Sequence, residues 1–181
     1  MLSDAQKRIA LRVAREAVLG ALQRLESPLP DISEDKTPGQ FGVFVSLHNG
    51  KELRGCIGVI ESARPLFQTI ASCSVSAATT DTRFSPVTLG EMSSICFEIS
   101  VLGPPCRIRG AEEVEIGRHG VIVTLAGRTA LLLPQVATQE GWSASDLLSA
   151  ACSKAGLPPA AWRGGATRLE AFTAEVFRED G

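Results

Sequence analysis

The first apolar pattern in the chain has the spacing of a helix. Apolar side chains recur at every fourth position from Ile9 to Leu25, which predicts an amphipathic helix of about six turns. Ser3 and Gln6 stand where a capping box would begin it, and Ser27-Pro28 would end it. The proline-rich residues 27–40 then predict a surface loop. Later helices are predicted at residues 62–80, 134–141 and 144–155.

A second pattern, the alternation of apolar and polar residues, predicts the strands. Residues 41–47 alternate in this way, and Asn49-Gly50 is a strong turn signal that makes residues 41–60 a hairpin. Further strands are predicted at residues 95–102, at residues 121–133 as a hairpin across Ala126-Gly127-Arg128, and at residues 168–178. A hairpin followed by a helix therefore occurs twice. The order of elements predicts an α+β fold with a largely antiparallel sheet.

The hexapeptide Leu53-Arg54-Gly55-Cys56-Ile57-Gly58 is not explained by the needs of an apolar core. Arg54 and Cys56 lie two residues apart on the predicted strand, so both side chains point to one face. Gly55 clears the opposite face and Gly58 clears the same face, which lets another backbone or a ligand come close.

The turn predicts which face this is. A two-residue turn at Asn49-Gly50 sets Arg54 opposite Val45 and Cys56 opposite Val43, on the apolar side of the hairpin. A bulge or a three-residue loop would reverse this. A partly buried Arg54 needs an acidic or carbonyl partner, or it lines a pocket for an anion. The spacing alone favours a structural arginine paired with one of the 20 acidic residues.

The loop Asp81-Thr82-Arg83-Phe84 brings an acid, a base and an aromatic residue together after the second predicted helix. One interpretation is a turn in which Asp81 and Arg83 interact locally. The other is a functional loop beside the Arg54/Cys56 face, because loops that follow packed elements often carry function.

Cys56 is the cysteine with an activating neighbour in its own motif, because a guanidinium beside a thiol favours the thiolate. A nucleophile also needs a base, and the chain offers two histidines. His48 is predicted at the hairpin tip as a solvated turn residue, whereas His119 precedes a buried strand and could reach inward. The resulting hypothesis is a Cys56/His119 pair, with Asp81 or Glu98 to orient the imidazole. The alternative is an inert small side chain in an apolar strand.

Composition narrows the possible functions. A chain of 181 residues with 44% apolar content is long enough for one good core, so one domain is expected, with two lobes possible. The net charge of −2 argues against a nucleic-acid partner. The five cysteines form no CxxC pair, which argues against a disulfide framework and against a zinc ribbon, and no metal site is predicted. The N-terminal residues lack a signal-peptide pattern and no apolar run reaches membrane-spanning length, so a cytoplasmic protein is expected.

The hexapeptide resembles the LRGCIG hallmark of the AMMECR domain family, whose prokaryotic members are often called AmmeMemoRadiSam system protein A. Four further segments, taken with the hexapeptide, extend the resemblance over roughly residues 5 to 178. They are Asp81-Thr82-Arg83-Phe84, Glu115-Ile116-Gly117-Arg118-His119-Gly120, Ala130-Leu131-Leu132-Leu133-Pro134-Gln135-Val136-Ala137 and the tail from Gly156 to Trp162. Thr82 stands where the family has proline, which should change the stiffness of the loop more than its chemistry.

The resemblance implies an α+β fold built from two β-rich repeats around a barrel-like sheet, as a single AMMECR-type domain over residues 1–181 with possible lobes at 1–110 and 111–181. It also implies a setting, because prokaryotic members tend to be encoded beside, or fused to, a Memo-like protein and a radical-SAM protein. It implies no settled activity, and it leaves the cofactor unknown.

The leading hypothesis is therefore a domain that acts with Memo-like and radical-SAM partners in a modification pathway, as a monomer or homodimer without nucleic acid or membrane. Its site would centre on Arg54 and Cys56. The further candidate residues are Gly55, Gly58, Asp81, Arg83, His119 and Gln135. A competing hypothesis is a non-catalytic interaction module whose hexapeptide is structural. A second alternative is a cysteine-dependent enzyme that uses Cys56 and His119.

Overall fold

The computed structural model describes residues 2–24 and 42–179, and these contain four α-helices and seven β-strands. The helices are α1 (Asp4–Leu22), α2 (Leu66–Thr79), α3 (Pro134–Glu140) and α4 (Ala144–Lys154). The strands are β1 (Gly42–Asn49), β2 (Glu52–Val59), β3 (Ile95–Leu102), β4 (Cys106–Ile108), β5 (His119–Leu125), β6 (Arg128–Leu132) and β7 (Arg168–Arg178). The strand pairs β1–β2, β4–β7, β5–β6 and β5–β7 are all antiparallel. The predicted α+β class with a largely antiparallel sheet is therefore confirmed.

The first helix begins as the sequence predicts and ends earlier. The Ser3 hydroxyl accepts the Gln6 amide hydrogen at 3.3 Å, and the Gln6 side chain accepts the Ser3 amide hydrogen at 2.9 Å. This reciprocal capping box confirms the predicted start. The helix ends at Leu22, not just before Ser27-Pro28. The predicted loop at residues 27–40 lies outside the described residues.

The described residues fall into two compact units, and strand β7 passes through both. One unit, called the first unit, holds the residues up to Val101 together with those from Glu175 onward. The other, called the second unit, spans Leu102–Ala174. The single domain over residues 1–181 that the resemblance implies stays a prediction.

In the first unit, the strands follow the order β2-β1-β3, and α1 and α2 contribute to the core. Val43, Val45 and Leu47 of β1 are fully buried, which confirms the apolar side of this hairpin, and Phe97 and Ile99 of β3 are fully buried too. α2 buries an apolar stripe as well, which consists of Leu66, Ile70, Cys73 and Ala77. The core therefore lies on one face of the sheet, which leaves the other face for polar side chains.

The end of β7 is fixed to α1 by one arginine. The Arg15 guanidinium binds both carboxylate oxygens of Glu179, at 2.8 and 2.6 Å, and donates to the carbonyl oxygens of Met92 and Ile95. It also lies 5.1 Å from the centre of the Phe97 ring. The segment that follows Ala174 is thus a structural part of the first unit.

In the second unit, β4 and β5 flank β7, and β6 pairs with β5. The hairpin β5–β6 is regular, with Thr124 opposite Thr129 and a two-residue turn at Ala126 and Gly127. Both turn residues have positive φ, at 49° and 78°, which matches a type I′ hairpin turn. Arg128, which the sequence analysis placed in the loop, therefore belongs to β6.

The register of the first hairpin corrects the predicted face of Cys56. Asn49 pairs with Glu52, so the turn consists of Gly50, with φ of +60°, and Lys51. A bulge follows, because His48 pairs with Leu53 whereas Leu47 pairs with Gly55, which leaves Arg54 as the extra residue. The predicted pairings of Arg54 with Val45 and of Cys56 with Val43 are wrong.

Cys56 lies opposite Ser46, on the face away from the Val43, Val45 and Leu47 core. A bulge inserts one residue into a period of two, so every side chain beyond it changes face.

Among residues 2–24 and 42–179, no helix combines the length and the apolar character that crossing a bilayer requires.

Candidate functional site

The two glycines of the hexapeptide make room for the chain itself. Gly55 is buried, and a Cβ there would overlap the Ala77 carbonyl group of α2. A Cβ on Gly58 would overlap the Val43 carbonyl oxygen and the Phe44 ring. The sequence predicted that another backbone or a ligand would lie close to Gly55 and Gly58. Gly55 admits the backbone of α2, so its first role is to let the helix pack closely on the strand.

Arg54 has the acidic and carbonyl partners that its partial burial requires. Its Nε and Nη2 donate to Glu91 Oε1 at 3.1 and 3.0 Å, and Nη2 also reaches the Ser85 carbonyl oxygen at 3.3 Å. Glu91 is itself fixed, because its Oε2 accepts the amide and hydroxyl hydrogens of Thr88. These contacts hold the pKa of Glu91 below its usual value, with the Thr88 bonds as the largest cause and Arg54 contributing less. Arg54 thus fits the structural interpretation.

Asp81 and Arg83 form an ion pair against the backbone of Cys56. Arg83 Nη2 donates to Asp81 Oδ2 at 2.7 Å, and Arg83 Nε donates to Asp81 Oδ1 at 2.9 Å. Asp81 Oδ2 accepts the Cys56 amide hydrogen at 2.9 Å, while Arg83 Nη2 donates to the Cys56 carbonyl oxygen at 3.0 Å. Both interpretations of this loop hold together, since the local pair exists and it lies beside Cys56.

The Asp81 side chain is only 4% exposed, whereas that of Arg83 is 58% exposed. The bidentate contact with Arg83 is the largest cause that lowers the pKa of the Asp81 carboxyl group well below its usual range, and the Cys56 amide adds to it. Asp81 is therefore a carboxylate anion that both groups hold in place.

The ion pair of Asp81 and Arg83 lies along the outer edge of β2, where a further strand could pair with it. In the first unit, β2 ends the strand order, so within residues 2–24 and 42–179 no strand lies along the outer edge of β2. The amide and carbonyl groups of Cys56 point out from that edge and would be unpaired without the loop. The Asp81–Arg83 pair supplies one acceptor and one donor there, as a neighbouring strand would. We call this arrangement the edge clamp.

The edge clamp fixes the backbone of Cys56, and Ser46 contacts its thiol. The Ser46 hydroxyl lies 3.3 Å from Cys56 Sγ and donates to it, and Cys56 is half-buried. The other cysteines of the first unit, Cys73 and Cys96, each have a thiol whose pKa is raised. Burial, followed by the nearby Cys56, raises the pKa of the Cys73 thiol to about 11, and burial also raises the pKa of Cys96. Cys56 is thus a thiol held on the polar face of the sheet by its own backbone.

His48 lies on that same face, which the sequence analysis missed. It is two residues from Ser46 on β1, so the side chains of Ser46, His48 and Cys56 share a face of the hairpin. The prediction of a solvated turn residue is wrong, because His48 is half-buried and its Nε2 is shielded, without a hydrogen-bond partner among the described residues. The signal that could have found it is the alternation of Phe44, Ser46 and His48, once the bulge is known.

His119 and Gln135 belong to the second unit, so the predicted Cys56/His119 pair joins residues of two different units and stays a prediction. The Nδ1 atom of His119 accepts the Glu115 amide hydrogen at 3.1 Å. A neutral imidazole with this bond carries its proton on Nε2, so its lone pair is already used. Gln135, in the first turn of α3, has a shielded Oε1 without a hydrogen-bond partner in the described parts of the chain.

The structure thus brings Arg54, Cys56, Asp81 and Arg83 together in the first unit, with Ser46 and His48 beside them. Three of these residues, Arg54, Asp81 and Arg83, form ion pairs within the chain. In the ranges 2–24 and 42–179, no three His, Cys, Asp or Glu side chains are grouped so that they could hold a metal ion.

Comparisons with known proteins agree on one family. The AMMECR1 family model matches residues 11–177. The chain is similar to Protein MK0488 of Methanopyrus kandleri, with 41% identity over 94% of this chain and 86% of that protein. It is also similar to Protein MJ0810 of Methanocaldococcus jannaschii, with 39% identity over 94% of this chain and 88% of that protein. The crystal structure of the uncharacterized protein PH0010 from Pyrococcus horikoshii superimposes with a TM-score of 0.92 at 35% identity, covering 99% of this chain and 94% of that one.

Proposed function

The chain belongs to the AMMECR1 family, and from this premise we propose that it presents the Cys56 thiol to Memo-like and radical-SAM partner proteins in a cytoplasmic modification pathway. The partners and the pathway come from the family resemblance of the hexapeptide and its companion segments. The role of Cys56 comes from its geometry.

The observation that carries the proposal is the edge clamp. A buried carboxylate and an arginine both hold the peptide groups of one residue, Cys56, at 2.9 and 3.0 Å. Charge-assisted hydrogen bonds of this kind are stronger than neutral ones and fix orientation. A fold that needed only to close the edge of β2 could do so with a charged side chain or a proline. Fixing the peptide on both sides of a half-buried thiol is what a site that presents that thiol requires.

The test is co-purification with the Memo-like and radical-SAM proteins encoded in the same genome. We expect wild type to retain them and Cys56→Ser to lose at least nine-tenths of the recovered partner. Cys106→Ser is the matched control, because Cys106 is an exposed thiol of the second unit, and it should retain both partners. If Cys56→Ser and wild type recover equal amounts of the partner proteins, the Cys56 thiol is not needed for the interaction.

A second candidate function is a non-catalytic interaction module in which the thiol is incidental. Two apolar residues favour it: Val59, at the end of β2, and Ile60 after it are each 37% exposed. Partner recovery that survives Cys56→Ser but is lost in Val59→Ser/Ile60→Ser would select this function. Loss with Cys56→Ser alone would reject it.

A third candidate is a cysteine-dependent enzyme, for which Cys56 needs a base. The Nδ1 atom of His119 is engaged by the Glu115 amide, so His119 would have to release that bond before it could accept a proton. His48 lies on the Cys56 face, and its Nε2 has no hydrogen-bond partner within residues 2–24 and 42–179, so it supports the same role better.

Alkylation of all five cysteines against pH, read by peptide mass spectrometry, tests the enzyme candidate. An activated thiolate would label at Cys56 with a midpoint well below about 8.5, and His48→Gln would raise that midpoint while His119→Gln would not. If Cys56 labels no faster than buried Cys73, the thiol is not activated and the enzyme candidate fails.

A further inference from the structure

A cavity of about 530 Å³ in the second unit is lined by three arginine residues. Arg107 lies on β4 and Arg109 follows that strand, while Arg163 belongs to the short 3-10 helix Ala161–Gly164. Arg107 and Arg109 flank Ile108, which is buried in the core of the unit, so alternation turns both arginines to the opposite side. Residues far apart in sequence thus place three cations around one cavity.

None of these three guanidinium groups has a carboxylate partner within residues 2–24 and 42–179. The contrast with Arg15, Arg54 and Arg83 is clear, because each of those is neutralised by Glu or Asp at 3.0 Å or less. Glu112 contributes the one carboxylate among the lining residues of the cavity. The lining therefore carries an excess of two positive charges, and all three guanidinium groups are on exposed residues that an anion can reach from solvent.

One of the three arginines is held in place before any ligand arrives. The Arg163 guanidinium lies 4.8 Å from the centre of the Trp162 ring, which is a cation–π contact. The ring is fixed in turn, because Trp162 Nε1 donates to Ser149 Oγ at 3.0 Å. A guanidinium stacked on a fixed ring loses less freedom on binding than a free one, which is a property of a prepared binding site.

We propose that this cavity binds a small polyphosphate, that is, a pyrophosphate group free or carried by a nucleotide. Guanidinium forks bind phosphate oxygens in pairs, and an excess of two positive charges matches a ligand with at least two negative charges. The volume lies in the range of small-molecule sites. The proposal does not depend on the role proposed for Cys56, because all the residues that carry it lie in the second unit.

Isothermal titration of the full chain with pyrophosphate tests the proposal, with inorganic phosphate, sulfate and ATP as further ligands. We expect pyrophosphate to bind wild type at least tenfold more tightly than phosphate or sulfate. Arg107→Gln/Arg109→Gln should lose at least tenfold in affinity. Arg8→Gln/Arg64→Gln is the matched control, because it removes the same charge from two exposed arginines outside the cavity, and it should bind as wild type does.

Several outcomes would overturn the proposal. Wild type without measurable pyrophosphate binding would do so, and so would an equal loss in both double variants, which would indicate a general charge effect. Phosphate or sulfate that binds as tightly as pyrophosphate would reject the polyphosphate class. ATP that binds as pyrophosphate does would identify a nucleotide source, whereas pyrophosphate alone would identify the free anion. Thermal unfolding of each variant verifies that it is folded, and Arg163→Gln provides a second variant if the first double variant is not.

Discussion

The hairpins β1–β2 and β5–β6 start from similar alternating sequences and end as different structures. In β5–β6, every residue from Val121 to Leu125 has one partner on β6, and the turn is a two-residue loop. In β1–β2, a bulge at Arg54 turns Cys56 away from the core and toward Ser46. The regular hairpin needs only to cover a core. The irregular one pairs its extra residue with Glu91 and directs a thiol to the polar face, so the irregularity marks the candidate site.

The outer edges of the two hairpins differ in the same sense. In the second unit, Lys154 Nζ donates to the Leu131 carbonyl oxygen of β6 at 2.9 Å, which satisfies one acceptor. In the first unit, the edge clamp satisfies both a donor and an acceptor of Cys56 with a buried acid and its arginine. At the β6 edge a lysine thus meets one carbonyl group, whereas both peptide groups of Cys56 are held at the β2 edge.

The largest effect should come from Gly55→Ala, because the added methyl group meets the backbone of α2 and not a side chain that could move. We expect a loss of about 3 kcal/mol or more in the free energy of unfolding, measured with urea. Gly90→Ala is the matched control, since nothing lies within 4 Å of a Cβ there, and it should change stability by less than about 1 kcal/mol. Equal effects at the two glycines would contradict the close packing of α2 on β2.

Asp81→Asn should have the next largest effect, because it removes the charge of the edge clamp and leaves the Cys56 amide and Arg83 with a weaker acceptor. We expect a loss of about 2 kcal/mol at pH 7. The control is Glu52→Gln, an exposed change on β2, the strand that carries Cys56, and it should cost less than about 0.5 kcal/mol. A neutral Asp81→Asn would mean that the clamp does not stabilise the fold.

The difference between wild type and Asp81→Asn should depend on pH in one direction. The pKa of Asp81 is lowered in the folded chain, mainly by Arg83, so its stabilising contribution is present above the unfolded pKa of about 3.9. That contribution is lost as the pH falls through the folded pKa. Urea unfolding at pH 7, 5 and 3 should therefore give the same difference at the first two values and a smaller one at the third. A difference that grows toward pH 3 would contradict the direction of the shift.

Lys154→Met should cost about 1 kcal/mol, less than the change at Asp81, because it removes an ion-to-carbonyl bond at the β6 edge. The measurement is urea unfolding of the full chain beside Asp81→Asn. A cost at Lys154 as large as that at Asp81 would remove the difference between the two edges.

The smallest effect is expected at the turn of the regular hairpin. Ala126 adopts φ of +49°, where a side chain is strained, so Ala126→Gly should stabilise the chain by about 0.5 kcal/mol. Gly50→Ala, in the turn of the irregular hairpin at φ of +60°, should have the opposite sign. Thermal unfolding of both variants checks the pair of signs.

The elements could be predicted from the sequence because their signals are local. The burial of Phe97 and Ile99 follows from a period of two, and the start of α1 follows from Ser3 and Gln6. β4 escaped prediction because it has three residues and follows two prolines. The face of Cys56 was predicted wrongly because one inserted residue, Arg54, reverses everything beyond it.

The partners of the candidate site could not be predicted, because they depend on distance through space. Nothing near Arg54 in sequence singles out Glu91, which is 37 positions away, among 20 acidic residues. The backbone of Cys56 gives no sign that Asp81, 25 positions later, accepts its amide hydrogen. His48 was misplaced because the turn consists of Gly50 and Lys51, so His48 lies within β1 and pairs with Leu53.

The bond between Arg15 and Glu179 has a consequence for the order in which the chain takes shape during synthesis. Arg15 leaves the ribosome early, but the carboxylate that it binds is made 164 positions later. The second unit, Leu102–Ala174, has all its residues available before that carboxylate exists. Of the two units, the one that carries Cys56 is thus begun first and finished last, and a chain that ended before Glu175 would contain every residue of the second unit but an Arg15 without its carboxylate partner.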